Sequence, residues 1–127
     1  MGNEIKNSNY FTIQGWMRNE LELSGNYLNC YAIIYCFSQT KENRYTGTIQ
    51  YLATWLGVTK RALRNILNKL IEKGYIIKHE QIVESSIKVE YSVDISIVES
   101  VLNKDFLNKE EKGNLVTQID ENYTKNK

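Results

Sequence analysis

The chain has 127 residues, and its 16 Lys plus Arg against 15 Asp plus Glu leave a net charge of +1. This length is typical of one domain with a short appendage. A hydrophobic fraction of 42%, a charged fraction of 24% and the absence of proline exclude collagen-like, mucin-like, Pro-rich and wholly disordered proteins. The near-neutral charge by itself argues against a nucleic-acid-binding protein, because such proteins are usually basic.

The cysteines and the hydropathy pattern predict a reduced, cytoplasmic protein. Cys30 and Cys36 would face different sides of a helix, and neither has a His or Cys partner at metal-ligand spacing. The longest charge-free stretch, Leu23–Thr40, is too short and too polar to span a bilayer, and the N-terminus lacks the apolar run of a signal peptide. We therefore expect no metal, no cofactor and no membrane partner.

Apolar residues at helical spacing predict two helices after a flexible N-terminal segment, residues 1–9. The first helix is expected at about Ile13–Leu21. The second, at about Asn26–Ser38, is apolar around most of its circumference and should be the central buried helix. A short strand is expected at Arg44–Thr46.

Two further helices, divided at Gly57, predict a helix-turn-helix motif. They are expected at Ile49–Leu56 and from the N-cap residue Thr59 to about Lys73. The small Ala53 allows the helices to cross closely, and Gly57 allows a positive φ in a tight turn. In such a motif the second helix is the one that enters the major groove of DNA.

The hydrophobic period then changes to two, which predicts a β-hairpin. Its strands are expected at Tyr75–His79 and Ile87–Val93, joined by a loop at Gln81–Ser86. A closing helix is predicted at Asp94–Leu102. The polar residues 103–127 are expected to form a mobile tail.

The outer face of the second helix of the motif is the strongest functional signal. At about 100° per residue its polar side chains lie opposite Leu63, Ile66, Leu67 and Leu70. Arg can pair with guanine, Asn with adenine, and Lys with phosphate. Residues 41–88 carry nine Lys or Arg and four acids, a net charge of +5, against −1 before and −3 after this segment. The alternative to DNA binding is that these polar side chains form an ordinary solvated helix face with no ligand. The candidate DNA-binding residues here are Thr59, Lys60, Arg61, Arg64, Asn65, Asn68 and Lys69.

Three further cations, Arg44, Lys78 and Lys88, are weaker candidates for phosphate contacts from the hairpin region, since Glu80 and Glu84 lie near its loop. The single histidine has no catalytic or metal-binding partner in the sequence. No phosphate-binding glycine loop, paired catalytic carboxylates or Ser/Cys–His arrangement occurs. The sequence therefore gives no reason to expect an enzyme.

Three segments resemble winged-helix modules of phages and mobile elements, including the N-terminal domains of phage replisome organisers and plasmid replication initiators. They are Tyr10–Met17 (YFTIQGWM), Tyr31–Gln39 (YAIIYCFSQ) and Thr46–Gly57 (TGTIQYLATWLG). The resemblance covers about Tyr10–Val93 and implies a winged helix-turn-helix with Thr59–Lys73 as recognition helix. It implies DNA contacts for Lys60, Arg61, Arg64, Asn65 and Asn68.

The expected fold class is thus mainly α with a small β-hairpin (α+β), as a winged helix-turn-helix domain at residues 10–102. The expected function is non-enzymatic binding of double-stranded DNA. Replisome organisers continue into a second domain that this sequence does not include, so a phage or mobile-element transcriptional regulator or a replication accessory protein is expected. A homodimer could form through the apolar residues of the closing helix, which are Ile95, Val98, Val101 and Leu102.

The alternative is a protein-interaction module of the same fold that binds a host, phage or defence protein. Acidic residues at Glu80–Glu84, Glu110–Glu111 and Asp120–Glu121 would suit such a role. The steep salt dependence of DNA binding separates the two hypotheses.

Overall fold

The computed structural model describes residues 4–40 and 42–111, with side chains up to residue 103. These residues form two compact units, of which the first ends at Ile95 and the second begins at Ser96. In chain order the elements are α1 (Gly15–Asn19), α2 (Gly25–Phe37), α3 (Ile49–Leu56), α4 (Lys60–Glu72), β1 (Ile76–Val83), β2 (Ser86–Val93) and α5 (Ile95–Glu111). The predicted fold class, mainly helical with a small antiparallel hairpin, is confirmed.

The centre of the first unit is α2, as its apolar circumference predicted. Six consecutive residues, 30–35, are buried, and the helix contacts α1, α3, α4 and β2. At its C-terminal end the buried Ser38 hydroxyl donates to the Ile34 carbonyl oxygen at 2.7 Å and accepts from the Val93 N–H at 3.2 Å. These two bonds tie the end of α2 to the base of the hairpin.

The helix-turn-helix of α3 and α4 forms as predicted, because each end carries its own capping signal. The Thr48 and Thr59 hydroxyls accept from the N–H groups of Tyr51 and Ala62 at 3.0 and 3.1 Å. Gly57 has a φ of 67°, and the N–H groups of Gly57 and Val58 bond back to the last turn of α3. This hydrogen-bond pattern is a Schellman motif, which a left-handed glycine favours.

The hairpin is longer than predicted, and the expected six-residue loop is wrong. Pairing runs from Ile76↔Val93 to Val83↔Ser86, so only two residues form the turn. Glu84 and Ser85 have φ values of 49° and 68°, the left-handed conformation of a tight type I′ turn. Sequence signals missed it because Asn and Gly, the usual residues of this turn, are absent here.

A short strand was predicted at Arg44–Thr46, and one β-bridge is found there, between Tyr45 and Tyr91. The backbone N–H of Tyr45 donates to the Tyr91 carbonyl oxygen at 2.7 Å, and the reverse bond is 3.1 Å long. The Tyr45 hydroxyl also donates to the Thr48 carbonyl oxygen at 2.6 Å. The segment before α3 is therefore fixed to the outer edge of β2.

The first and last helices differ from the predicted bounds. α1 is shorter than the predicted Ile13–Leu21, although Leu21 and Leu23 are buried. α5 continues beyond Leu102 to Glu111, so residues 103–111, predicted as tail, are helical. The rest of the predicted tail, residues 112–127, lies outside the described residues, as do residues 1–3 of the predicted flexible N-terminus.

Both cysteines are free, and burial raises the pKa of the Cys30 thiol to about 12. Over the described ranges no helix combines the length and the hydropathy needed to cross a membrane.

Candidate nucleic-acid interface

The outer face of α4 gathers the predicted DNA-binding residues on one exposed surface. The residues opposite them, Leu63, Ile66, Leu67 and Leu70, are buried against the rest of the first unit. The sequence spacing thus placed the two faces correctly. The exposed set comprises Thr59, Lys60, Arg61, Arg64, Asn65, Asn68 and Lys69.

The positive charges at the start of α4 are not neutralised by neighbouring acids. Within residues 4–40 and 42–103, no carboxylate lies within ion-pair distance of Lys60, Arg61 or Arg64. Lys69 lies 3.8 Å from Glu72, a long contact between two exposed side chains that adds little energy. Most of the charge on this face is therefore available to a ligand.

The cations of the hairpin are divided between its two faces. Residues directly opposite each other in the ladder share a face, and neighbours along a strand alternate. Lys78 lies opposite Tyr91, and both line a cleft beside α4. Lys88 and Glu90 alternate with Val89 and Tyr91 along β2 and therefore lie on the other face.

Each hairpin-region cation has a carboxylate partner. The carboxylate of Glu90, whose side chain is 14% exposed, forms ion pairs with Arg44 and Lys88, each with an N···O distance of 3.3 Å. Lys78 lies 3.3 Å from Glu80. The positive potential of this region is consequently lower than its number of cations suggests.

The side chain of His79, on β1, forms a hydrogen bond with a residue of β2. Its Nε2 lies 2.8 Å from the Ser92 hydroxyl oxygen, and burial together with Arg44 lowers the pKa of its imidazole. No group of three His, Cys, Asp or Glu side chains at metal-binding distance occurs in the part of the chain that the structure describes.

A cleft of about 320 Å³ lies between α4, the hairpin and the segment that precedes α3. Arg64, Asn68 and Lys78, three of the predicted site residues, meet there. The remaining lining residues are Gly47, Ile49, Leu67, Val89 and Tyr91.

Sequence reasoning missed Tyr91 and Gly47 as parts of this site. The alternation of polar and apolar residues marks Tyr91 only as one apolar residue of a strand, and its place opposite Lys78 depends on the hairpin register. A Cβ atom at position 47 would come within 2.5 Å of the Tyr45 hydroxyl oxygen, so the close approach of Tyr45 requires a glycine. The spacing of residues along the sequence predicts neither the pairing of Tyr91 with Lys78 nor the packing of Tyr45 against Gly47.

The four residues predicted to contact a second copy, Ile95, Val98, Val101 and Leu102, all lie on α5. Leu102 is 40% exposed, and Ile95 and Val101 are partly exposed. Val98 is buried, with an exposure of 5%, so its expected contact with a second copy is corrected: its side chain already packs within one chain. The dimer remains a prediction.

Comparisons with known proteins agree with this architecture. A family model described as a helix-turn-helix domain matches residues 21–76. The fold is similar to that of two mutants of MepR from S. aureus. One, bound to an oligodeoxyribonucleotide, has 18% sequence identity and a TM-score of 0.52 over 80% of this chain and 70% of that chain. The other has 17% sequence identity and a TM-score of 0.50 over 80% of this chain and 69% of that chain. No curated protein matches the sequence. The structural similarities confirm the winged-helix fold.

Proposed function

We propose that this chain is a non-enzymatic protein that binds double-stranded DNA by placing the outer face of α4 in the major groove. The observation that carries the proposal is the exposed, unneutralised set of Arg and Asn side chains on the second helix of a helix-turn-helix. B-DNA admits one α-helix into its major groove, where base edges offer the acceptors and donors that such side chains recognise.

The residues of this face divide by chemistry into two roles. Arg61 and Arg64 suit guanine edges, and Asn65 and Asn68 suit adenine edges, because each side chain can form two hydrogen bonds to its base. Lys60 and Lys69, with the exposed Thr59 at the N-terminus of α4, suit backbone phosphates. Lys78 is the cation of the hairpin best placed to join them, because it shares the cleft with Arg64 and Asn68.

The fold comparison supports the same function, because one of the similar MepR structures was solved with an oligodeoxyribonucleotide. The helix-turn-helix model also covers α2, α3 and α4. We extend the proposal to a transcriptional regulator, or a replication accessory protein, of a phage or mobile element.

A single winged helix covers only about 600–1,000 Å² of interface, so one copy should bind DNA weakly. Two copies joined through α5 would place their recognition helices on half-sites about one helical turn apart. The dimer contact proposed for α5, with Ile95, Val101 and Leu102 as its exposed or partly exposed residues, therefore predicts a palindromic site.

The test is selection of bound duplexes from a random pool, followed by affinity measurements over a range of salt concentrations. We expect an enriched sequence and a slope of log affinity against log salt of about −0.9 for each phosphate neutralised. Enrichment of a palindrome would support the dimer as well. Absence of duplex binding at low salt would overturn the proposal.

One observation favours a second function, the binding of a protein partner through the tip of the hairpin. Ile82 and Ile87 form a cross-strand pair there, with exposures of 77% and 64%. Glu84 occupies the turn beside them, where its charge would repel phosphate. A host or phage protein with an apolar, basic surface would fit this tip. If the purified chain bound no DNA and Ile82→Thr released a co-purified protein, the second function would replace the first.

A further inference from the structure

The cleft between α4 and the hairpin has the chemistry of an anion site. Arg64 and Asn68 enter it from α4, while Lys78 and Tyr91 enter it from directly opposite positions of β1 and β2. Residues that carry a guanidinium, an amide, an ammonium and a phenol thus line one cleft from three elements, α4, β1 and β2. Such a set of donors suits the oxygens of a phosphate group.

Tyr91 is the most buried polar side chain of the cleft, with an exposure of 8%. Burial raises the pKa of its phenol, and the nearby Lys78 and Arg64 act in the opposite direction. Because the net direction is upward, the phenol keeps its proton at neutral pH. Its hydroxyl can therefore donate to an anion, whereas the two cations supply the charge.

The remaining walls of the cleft fit a nucleotide backbone better than an isolated ion. The partly exposed Ile49 and Val89 provide apolar surface for the carbon face of a deoxyribose. Gly47 adds no side chain to the lining, and a Cβ atom at this position would clash with Tyr45. The volume of about 320 Å³ admits part of one strand but excludes a duplex.

One carboxylate must give way for an anion to enter. Glu80 lies 3.3 Å from the Lys78 ammonium, and its side chain is 54% exposed. An exposed pair of this kind is weak, so exchange of the carboxylate for a phosphate costs little. Glu80 can rotate into solvent when the cleft is filled.

We propose that this cleft binds one backbone phosphodiester of the DNA, held between α4 and the hairpin by Arg64, Lys78 and Tyr91. This assigns Arg64 to the backbone instead of a guanine edge and leaves Arg61 as the arginine that reads a base. This inference rests on the proposed function and adds a positioning role to it. A phosphate fixed at this point sets how far α4 enters the major groove and at what angle, because both elements grip the same strand. Tyr91 thereby links a sequence-independent phosphate contact to the outer face of α4, which contacts the bases.

The first experiment measures duplex affinity for Tyr91→Phe and Lys78→Gln, with Tyr27→Phe and Lys6→Gln as matched controls outside the cleft. We expect Tyr91→Phe to lower affinity about tenfold, and by the same factor for selected and random duplexes, because a phosphate contact carries no sequence information. Lys78→Gln should reduce the salt slope by about 0.9. Circular dichroism verifies that each variant is folded. If Lys78→Gln left both affinity and salt slope unchanged, the inference would be wrong.

The second experiment identifies the phosphate by replacing single linkages of the duplex with neutral methylphosphonates. The wild-type chain should lose affinity at the linkage held in the cleft, as well as at the linkages that Lys60 and Lys69 contact. Tyr91→Phe should lose much less at that linkage than the sum of the two separate effects predicts, which is the mark of a direct contact. Additive losses at every linkage would overturn the cleft assignment while leaving DNA binding itself intact.

A free anion is the competing source of the same chemistry, and inorganic phosphate alone is its probe. We expect only small chemical-shift changes at the backbone amides of Lys78 and Tyr91, and only at millimolar phosphate, which would support the assignment to DNA. Saturation at micromolar phosphate would assign the cleft to a free ion and contradict the inference. Failure of the wild-type chain to bind any duplex would instead overturn the proposed function.

Discussion

Helix α4 carries four cations and the hairpin region three, Arg44, Lys78 and Lys88, but the two regions offer very different charge to a ligand. Lys60, Arg61 and Arg64 have no carboxylate at ion-pair distance within the described side chains. In the hairpin region, Glu90 neutralises two cations on one face and Glu80 neutralises Lys78 on the other. The number of Lys and Arg residues in a segment is therefore a poor measure of its attraction for DNA, because pairing across strands decides how much charge is available.

The largest expected effect comes from removing the charge of α4. Arg61→Ala combined with Arg64→Ala should lower duplex affinity about 100-fold or more, since each lost charge-assisted contact costs about 1.5–3 kcal/mol. Fluorescence anisotropy with a labelled duplex measures the change. The control, Lys6→Ala combined with Arg18→Ala, removes the same charge outside the helix-turn-helix and should have a much smaller effect. Equal losses in the two double variants would show that only net charge matters.

The turn before α4 and the turn of the hairpin also differ. Both have left-handed residues, but only the turn before α4 has a glycine, Gly57, at such a position. Gly57→Ala should destabilise the fold by about 1–2 kcal/mol, because a side chain is strained at a φ of 67° although no atom lies within 4 Å of the added Cβ. Urea unfolding measures the loss. Gly15→Ala, which adds a methyl group in ordinary contact and without positive φ, should cause no loss. An unchanged free energy of unfolding in Gly57→Ala would contradict the observed turn.

The hairpin turn holds Ser85 at a φ of 68°, where glycine would be relaxed. Ser85→Gly should therefore stabilise the hairpin, by about 0.5–1 kcal/mol, because type I′ turns favour glycine at their second central position. Slower hydrogen exchange at the amides of β1 and β2 would reveal the gain. Glycine at Ser86, which lies in the strand, is the control and should be destabilising. Faster exchange in Ser85→Gly would show that the turn has another conformation.

The smallest effect is expected from Glu90, whose carboxylate neutralises Arg44 and Lys88. Glu90→Gln should raise duplex affinity about two- to threefold at low salt, and the gain should disappear at high salt, where charges are screened. Glu4→Gln makes the same charge change at an exposed N-terminal residue. If both variants gained equally, release of the two hairpin cations would not be the cause.

The sequence predicted the elements whose signals are local. The bounds of α3 and α4 follow from Thr48, Gly57 and Thr59, which cap or end each helix through their own backbone neighbours. The buried and exposed faces of α4 follow from residue spacing alone. The predicted site residues of α4 are therefore exposed together as expected.

Some of the features that were missed lack their usual local signal, and others depend on contacts between distant segments. The length of the hairpin and its two-residue turn have no glycine or asparagine signal, and so the register that sets Tyr91 opposite Lys78 was not predictable. The Arg44–Glu90 ion pair joins residues 46 positions apart. The predicted weakness of the hairpin as a DNA contact came from two nearby acids, but the strongest neutralising residue is Glu90.

The most direct test of the proposed interface is amide chemical-shift mapping as a duplex selected by the chain is added. We expect the largest changes at residues 60–69 of α4, with a second group at Gly47, Lys78 and Tyr91 in the cleft. We expect smaller changes at the hairpin tip, around Ile82 and Ile87. Changes concentrated at the tip, with those of α4 unaltered, would contradict the assignment of DNA binding to α4.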